Sequence, residues 1–285
     1  MSYAYGFTHQ PPPDPPELPE GADPRPRWPA WYAPVGFLAA FGITIGVFVV
    51  VGAFAAIAGA DISGNSSALT VVGTVIQNIV LIGTAVFLAS RTSPPRPWHF
   101  GLRRARFWPA VGWSALGLAS FYVFAATYSA LLQPSGQQTV AQDLGADKGT
   151  FALIVAGVLV IVITPVAEEF FFRGFFYRAL RTRFPVLTAA LIDGVVFGAI
   201  HFTGSDTLSI LPILGVLGFL FCLVYERTGS LFSTIALHAV NNTIAFSVAA
   251  DGSVAISLVL GPLMVASCVL VPRYLAALRA APAAA

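Results

Sequence analysis

Charged side chains are scarce in this sequence of 285 residues, where Asp, Glu, Lys and Arg together make up 10%. Soluble globular domains carry about 25% charged residues, so an ordinary water-soluble globule is excluded. With 56% hydrophobic residues and a formal net charge of +2, a nucleic-acid binder and a disordered protein are excluded too. The two cysteines, Cys222 and Cys268, lie in apolar runs. They indicate small core residues rather than a disulfide framework or a zinc finger.

Long apolar runs are what the sequence has in abundance. A helix that spans a bilayer needs about 20 mostly apolar residues, and eight stretches approach that length. They cover residues 34–60, 68–89, 107–132, 150–167, 186–202, 208–225, 231–249 and 254–271. Tryptophans flank the first and third stretches, as in an interfacial aromatic belt. We therefore predict an all-α, polytopic membrane helical bundle with about eight transmembrane helices.

The basic residues fall on one side of this predicted zigzag. They precede the first span, follow the second, fourth and sixth spans, and follow the eighth. The other side holds one base, Lys148, and several aspartates. Because cytoplasmic loops carry the excess of Lys and Arg, we expect a multi-pass protein of the cell membrane with both termini in the cytoplasm. Its surroundings are then the lipid bilayer, and no nucleic-acid partner is expected.

The chain divides into four predicted parts. Residues 1–33 are rich in proline and acidic residues, which predicts a disordered cytoplasmic tail. Residues 34–149 hold transmembrane helices one to three, and residues 150–275 hold helices four to eight. Residues 276–285 form a second, short cytoplasmic tail.

Two adjacent carboxylates lie where a membrane helix should be uncharged. Glu168 and Glu169 follow eighteen residues without a charge, and a charge near the bilayer centre costs about 2.5–3.5 kcal/mol on insertion scales. Arg173 follows Glu169 by four residues, which is the favourable order for an ion pair on a helix. Pro165, just before the pair, predicts a disturbed helix. The ion pair explains one carboxylate and leaves Glu168 as a functional candidate.

Polar residues also share faces on other helices. A spacing of four places two sets on one face each: Asp193, Phe197 and His201, and His238 with Asn242. If the fourth helix continues to about residue 184, Glu168 and His201 both lie about 25 Å from the following turn at 1.5 Å per residue. In an antiparallel hairpin they would face each other. Gln77 and Asn78 in the second span predict hydrogen bonds between helices.

Three motifs collect these residues. They are Glu-Glu-x-x-x-Arg at 168–173, Phe-x-x-x-His at 197–201 and His-x-x-x-Asn at 238–242. In this order, on separate membrane helices, they resemble the CPBP family of intramembrane metalloproteases. That family comprises the type II CAAX prenyl proteases and their bacterial relatives in bacteriocin processing and immunity, formerly called Abi. The resemblance covers about residues 150–250 and implies a helical peptidase fold with its site open toward the cytoplasm.

The resemblance also implies roles for single residues. It implies that residues 150–275 are the catalytic membrane core. The family's motif positions fall on six residues of this sequence without a gap: its catalytic glutamate on Glu168, its second glutamate on Glu169, its arginine on Arg173, its histidines on His201 and His238, and its asparagine on Asn242.

The predicted chemistry is hydrolysis of a peptide bond by water that Glu168 activates. His201, His238 and Glu168 would bind a divalent metal, zinc first, since two histidines, a carboxylate and an open position form a catalytic zinc set. Asn242 would support a histidine or donate to the oxyanion. The alternative is a metal-free glutamate peptidase in which the histidines and Asn242 stabilise the oxyanion. The sequence has no His-Glu-x-x-His signature to decide between them.

Two other functions stay open at the level of sequence. One is a non-catalytic immunity or scaffold membrane protein of the same fold. The other is a proton-coupled carrier, because carriers also bury Glu, His and Asp. Many carriers have two related halves, whereas the intramembrane ionisable residues here cluster in the second half. We therefore favour a hydrolase whose substrate is a peptide or a membrane-protein segment.

Overall fold

A computed structural model of the protein describes residue 23 and residues 25–59, 66–136 and 139–280. Eight long helices account for most of this part of the chain, and it contains no strand. The helices are α1 (Tyr32–Ile57), α2 (Ser67–Ser90), α3 (Phe107–Leu132), α4 (Thr150–Arg181), α5 (Val186–Ala199), α6 (Leu211–Thr228), α7 (Leu231–Ser247) and α8 (Ser253–Ala280). The predicted all-α polytopic bundle is confirmed.

Six of the described helices are long and apolar enough to cross a membrane, fewer than the eight predicted spans. The difference lies in α5 and α7. With 14 residues, α5 is about 21 Å long at 1.5 Å per residue, short of a hydrocarbon core of about 30 Å. α7 has 17 residues and carries His238 and two asparagines, which lower its hydropathy. These two helices are the ones that carry the predicted histidines or end next to them.

The packed fold begins before the predicted end of the first tail. Trp28 is only 1% exposed, and its ring stacks on Phe100 and Phe175 with centroids 5.1 and 5.7 Å apart. Its Nε1 donates to the carbonyl of Phe175 at 3.2 Å. An indole ring buries a large apolar area when its N–H finds a partner, so the tail boundary predicted at residue 33 is too late. Most of the two predicted tails lies outside the described residues, namely 1–22, 24 and 281–285.

α4 is not a uniform α-helix. Wider, π-helical turns at Val158–Ile163 and Phe170–Tyr177 flank the α-helical segment Thr164–Glu169. Pro165 lies at the start of that segment and has no backbone N–H to donate. The disturbance of the helix predicted from Pro165 is the wide turn directly before it. π-helical turns inside α-helices are frequent at functional sites, and this one precedes the paired glutamates.

One turn and one contact that the sequence predicts between helices are present. α4 ends at Arg181 and α5 begins at Val186, with Pro185 directly before it, so the hairpin turn predicted near residues 184–185 is confirmed. Asn78 on α2 donates to the hydroxyl of Thr164 on α4 at 3.2 Å. This bond ties α2 to the segment of α4 that carries the glutamates.

α5 and α6 touch through their backbones. A Cβ atom at Gly194 would lie 2.6 Å from the carbonyl oxygen of Gly215, and one at Gly218 would lie 2.8 Å from the Cβ of Phe197. Small residues allow membrane helices to approach this closely. The close packing places α5 directly against the segment of α6 that contains Gly218.

Candidate active site

The centre of the site is the buried carboxylate pair on α4. Glu168 is 5% exposed, and Glu169 and Arg173 are fully buried. Arg173 lies one turn after Glu169, and its Nη1 donates to Glu169 Oε1 at 2.8 Å. The ion pair expected from the spacing of four is therefore present, and it holds only one of the two carboxylates.

Arg173 reaches beyond its own helix with its other terminal nitrogen. Nη2 donates to the carbonyl oxygen of Gly218 on α6 at 2.9 Å and lies 3.6 Å from Oδ1 of Asp193 on α5. Asp193 is fully buried as well. The guanidinium therefore lies between carboxylates from two helices and is fastened to the backbone of a third.

Aromatic rings enclose this guanidinium. Its central carbon lies 4.5 Å from the ring centre of Phe197, 5.1 Å from that of Phe221 and 5.8 Å from that of Phe172. A cation over such ring faces is attracted to them. Because the rings exclude water, the ionic contacts of Arg173 are stronger here than at a surface.

His238 on α7 links the two glutamates. Its Nδ1 lies 2.9 Å from Glu169 Oε1, and its Nε2 lies 3.8 Å from Glu168 Oε2. An ionised carboxylate can only accept, so Nδ1 donates to Glu169, and Nε2 is the ring nitrogen that is directed toward Glu168. The structure thus gathers four of the six predicted residues, Glu168, Glu169, Arg173 and His238, from two helices.

His201 borders this cluster without joining it. It follows the last residue of α5, and its Nδ1 lies 2.8 Å from the carbonyl oxygen of Phe197. The Phe197 ring lies 5.0 Å from the ring of His201 and 5.9 Å from that of His238. The depth argument predicts that His201 faces Glu168, but the contact that the structure gives Glu168 comes from His238.

Asn242 lies one turn after His238 and faces the first wide turn of α4. Its Nδ2 donates to the carbonyl oxygen of Val160 at 2.9 Å. A π-helical turn shifts the regular hydrogen bonds and leaves a carbonyl for such a partner. One amide hydrogen of Asn242 is therefore used to fasten α7 to α4, and the second remains for another acceptor.

The predicted metal ligands fit zinc in chemistry but not in position. A ligating histidine usually donates its other ring N–H to a carbonyl or carboxylate, as His201 and His238 do through Nδ1. Yet among the described residues no three His, Cys, Asp or Glu side chains form a group that could hold a metal ion. The trio His201, His238 and Glu168 is therefore not assembled, and zinc stays a prediction.

The comparison with known families falls on this part of the chain. Residues 150–244 match the model of the family described as type II CAAX prenyl endopeptidase Rce1-like. The match covers about a third of the chain. The resemblance inferred from the three motifs is thereby confirmed, since all three lie within the matched residues. The matched residues extend from the start of α4 into α7, and α1 to α3 lie outside them.

Two proteins of Bacillus subtilis (strain 168) are similar to part of the chain. "Uncharacterized protein YyaK" is 30% identical over 96 residues, which cover 32% of each chain. "Putative membrane peptidase YdiL" is 33% identical over 82 residues, which cover 29% of this chain and 32% of that protein. The chain thus aligns with about a third of the length of these relatives. No solved structure gives a significant match.

Three members of the site carry no role in the predicted motifs. Asp193 shares a helix face with Phe197 and His201, a signal visible in the sequence, but its contact with Arg173 depends on how α5 packs. The Gly218 carbonyl and the Phe221 ring come from α6, where no polar residue marks them. Glycine in a membrane helix signals close approach only, so these two contacts had no usable signal.

Proposed function

We propose that this protein is an intramembrane endopeptidase that hydrolyses a peptide bond with water activated by Glu168. The observation that carries the proposal is a carboxylate, 5% exposed, beside a histidine and a second carboxylate that Arg173 holds. Glu169 already has Arg173 and His238 as partners, which leaves Glu168 to act as the base. The Rce1-like match and the name of the similar YdiL support the same reaction class. Its substrate is a peptide or a membrane-protein segment.

The reaction needs one base and one proton carrier. Glu168 takes a proton from water while the water oxygen bonds to the carbonyl carbon of the peptide. The carbonyl oxygen becomes an oxyanion, and the second amide hydrogen of Asn242 stabilises it. When the C–N bond breaks, the proton moves from Glu168 to the leaving nitrogen, directly or through Nε2 of His238. The new carboxyl group then gives its proton to the released amine, so the products are a carboxylate end and an ammonium end, and Glu168 is ionised again.

We propose the metal-free form of this mechanism, because the three predicted ligands are not gathered. In the metal form, His201, His238 and Glu168 would hold the zinc. A bound zinc would polarise the attacking water. We expect the purified protein to keep its cleavage activity after exhaustive chelation. The measurement pairs elemental analysis of the purified protein with cleavage rates before and after chelation. Activity that is lost on chelation and restored by zinc would instead establish the metal form.

A cleavage assay in proteoliposomes tests the proposed function. One probe is a quenched fluorescent peptide with a farnesylated CAAX terminus. The other is a solubilised membrane fraction whose new peptide termini are identified by mass spectrometry. We expect new termini from the wild type and none from Glu168→Gln. Folded wild-type protein that cuts neither probe contradicts a peptidase and favours a scaffold, and solute uptake without cleavage favours a carrier.

We also propose that both termini face the cytoplasm. The arginines that define the predicted cytoplasmic side rest on aromatic rings. Arg227 lies 4.8 Å from the ring centre of Trp113, Arg273 lies 5.5 Å from that of Phe107, and Arg91 lies 5.7 Å from that of Phe87. Aromatic residues are typical of both membrane interfaces, but the excess of Lys and Arg marks the cytoplasmic one, and the position of these arginines on a single side supports this orientation.

A further inference from the structure

Asp193 is a buried acid that the proposed mechanism does not use. It lies on α5, fully buried; neither of its carboxylate oxygens forms a hydrogen bond of full strength among the described residues, and the weakly donating thiol of Cys222 on α6 interacts with it. Its nearest cation is Arg173, with 3.6 Å between Oδ1 and Nη2. Burying an acid without a hydrogen bond is costly, so its position calls for an explanation.

Neutralising Arg173 does not explain Asp193. Arg173 already has the carboxylate of Glu169 and the carbonyl of Gly218 as acceptors, at 2.8 and 2.9 Å. Asp193 also stays beyond hydrogen-bond distance, since α5 is held against α6 at Gly194, where a Cβ would lie 2.6 Å from a backbone oxygen. Asp193 therefore attracts Arg173 as a charge but does not form a hydrogen bond with it.

The pairing of Arg173 with Glu169 is incomplete. Only Oε1 of Glu169 takes part, and it is shared between Arg173 and His238. Oε2 of Glu169 and Nε of Arg173 are both buried without a hydrogen-bond partner in the described part of the chain. Arginine and carboxylate normally prefer the two-bond, fork-to-fork arrangement. Here Nη2 donates to the Gly218 carbonyl instead, with Asp193 close beside it.

We propose that Asp193 is a positioning residue that keeps Arg173 and Glu169 from forming the two-bond pair. Its attraction for Nη2 adds to the hydrogen bond that Nη2 makes with the Gly218 carbonyl, so the guanidinium does not turn into the two-bond pair. Oε1 of Glu169 then stays available to Nδ1 of His238, which keeps Nε2 directed at Glu168. Without the Asp193 charge, the Gly218 carbonyl alone holds Nη2, the two-bond pair of Arg173 with Glu169 competes with His238 for Oε1, and His238 is oriented less firmly. The inference rests on the proposed function, since it concerns the geometry of that site.

The first test is Asp193→Asn, which keeps the shape and removes the charge. A misplacement of about 1 Å at a reacting group costs about 100-fold, so we expect kcat to fall about 10- to 100-fold with KM unchanged. Asp206→Asn, an exposed aspartate bonded to Ser205, is the matched control and should cleave as the wild type does. Should Asp193→Asn fail to fold, Asp193→Ser replaces it in the same comparison. Wild-type kcat in the folded variant overturns the inference.

A double-mutant cycle separates positioning from a merely structural role. Lysine cannot form the two-bond pair, so in an Arg173→Lys background Asp193→Asn should cause no further loss of kcat. Losses that multiply would show that Asp193 acts independently of Arg173 and would overturn the inference. The Glu168→Gln variant distinguishes the two failures. If it cleaves like the wild type, the proposed function fails; if it is inactive while Asp193→Asn matches the wild type, only the positioning role fails.

Discussion

Glu168→Gln should reduce cleavage to a small residual rate while the bundle remains folded. The amide has the size of the carboxylate but cannot accept the proton of the attacking water. Loss of a general base costs about 10²–10⁴-fold, so we expect kcat to fall by that amount. The fold should survive, because the contact of Glu168 with His238 is a loose 3.8 Å and the change removes a buried charge. Cleavage of the farnesylated CAAX peptide gives the rate, and thermal unfolding in detergent reports the fold.

Glu226→Gln is the matched control for that experiment. Glu226 accepts from Arg181 and Tyr177 at the end of α6, and its side chain is 23% exposed. The same chemical change there should leave kcat unaltered, since the residue lies outside the candidate site. Wild-type activity in the folded Glu168→Gln variant would remove Glu168 from the role of base.

Local spacing predicted the parts of the site that lie on one helix. Residues a few positions apart are enough to predict three features: the start of α4 at Thr150, the hairpin turn before Val186, and the pair of Glu169 with Arg173. Helical geometry fixes such neighbours without knowledge of the rest of the fold. The three motifs also selected the region that matches the Rce1-like family model.

Depth along the helices could not be predicted as well. A rise of 1.5 Å per residue applies within a helix, but α5 ends at Ala199, and His201 therefore lies in the following turn. His238 from α7 takes the place beside Glu168 instead. The contact of Asn242 with the first wide turn of α4 could not be predicted either. Its acceptor is the backbone carbonyl of Val160, which no side-chain pattern marks.

Arg173→Met should be the most destabilising single change in the site. It removes the cation that contacts Glu169 and Asp193 and leaves two fully buried carboxylates without the cation that they share. Removing one partner of a buried ion pair costs about 3–5 kcal/mol, so we expect a loss of stability of that size, measured as the free energy of unfolding in detergent. Arg25→Met is the control. Its pair with Asp23 is exposed, and such pairs contribute about 0–1 kcal/mol.

The same substitution separates what holds the fold from what performs the reaction. Adding Glu169→Gln and Asp193→Asn to Arg173→Met removes both stranded charges, and well-packed neutral replacements of buried ion pairs are often no less stable than the original. We expect the triple variant to regain most of the lost free energy of unfolding but no cleavage, because His238 then lacks the carboxylate that orients it. Unfolding of Arg173→Met at the wild-type free energy would mean that water reaches the pair. Recovered cleavage in the triple variant would mean that Glu169 does not orient His238.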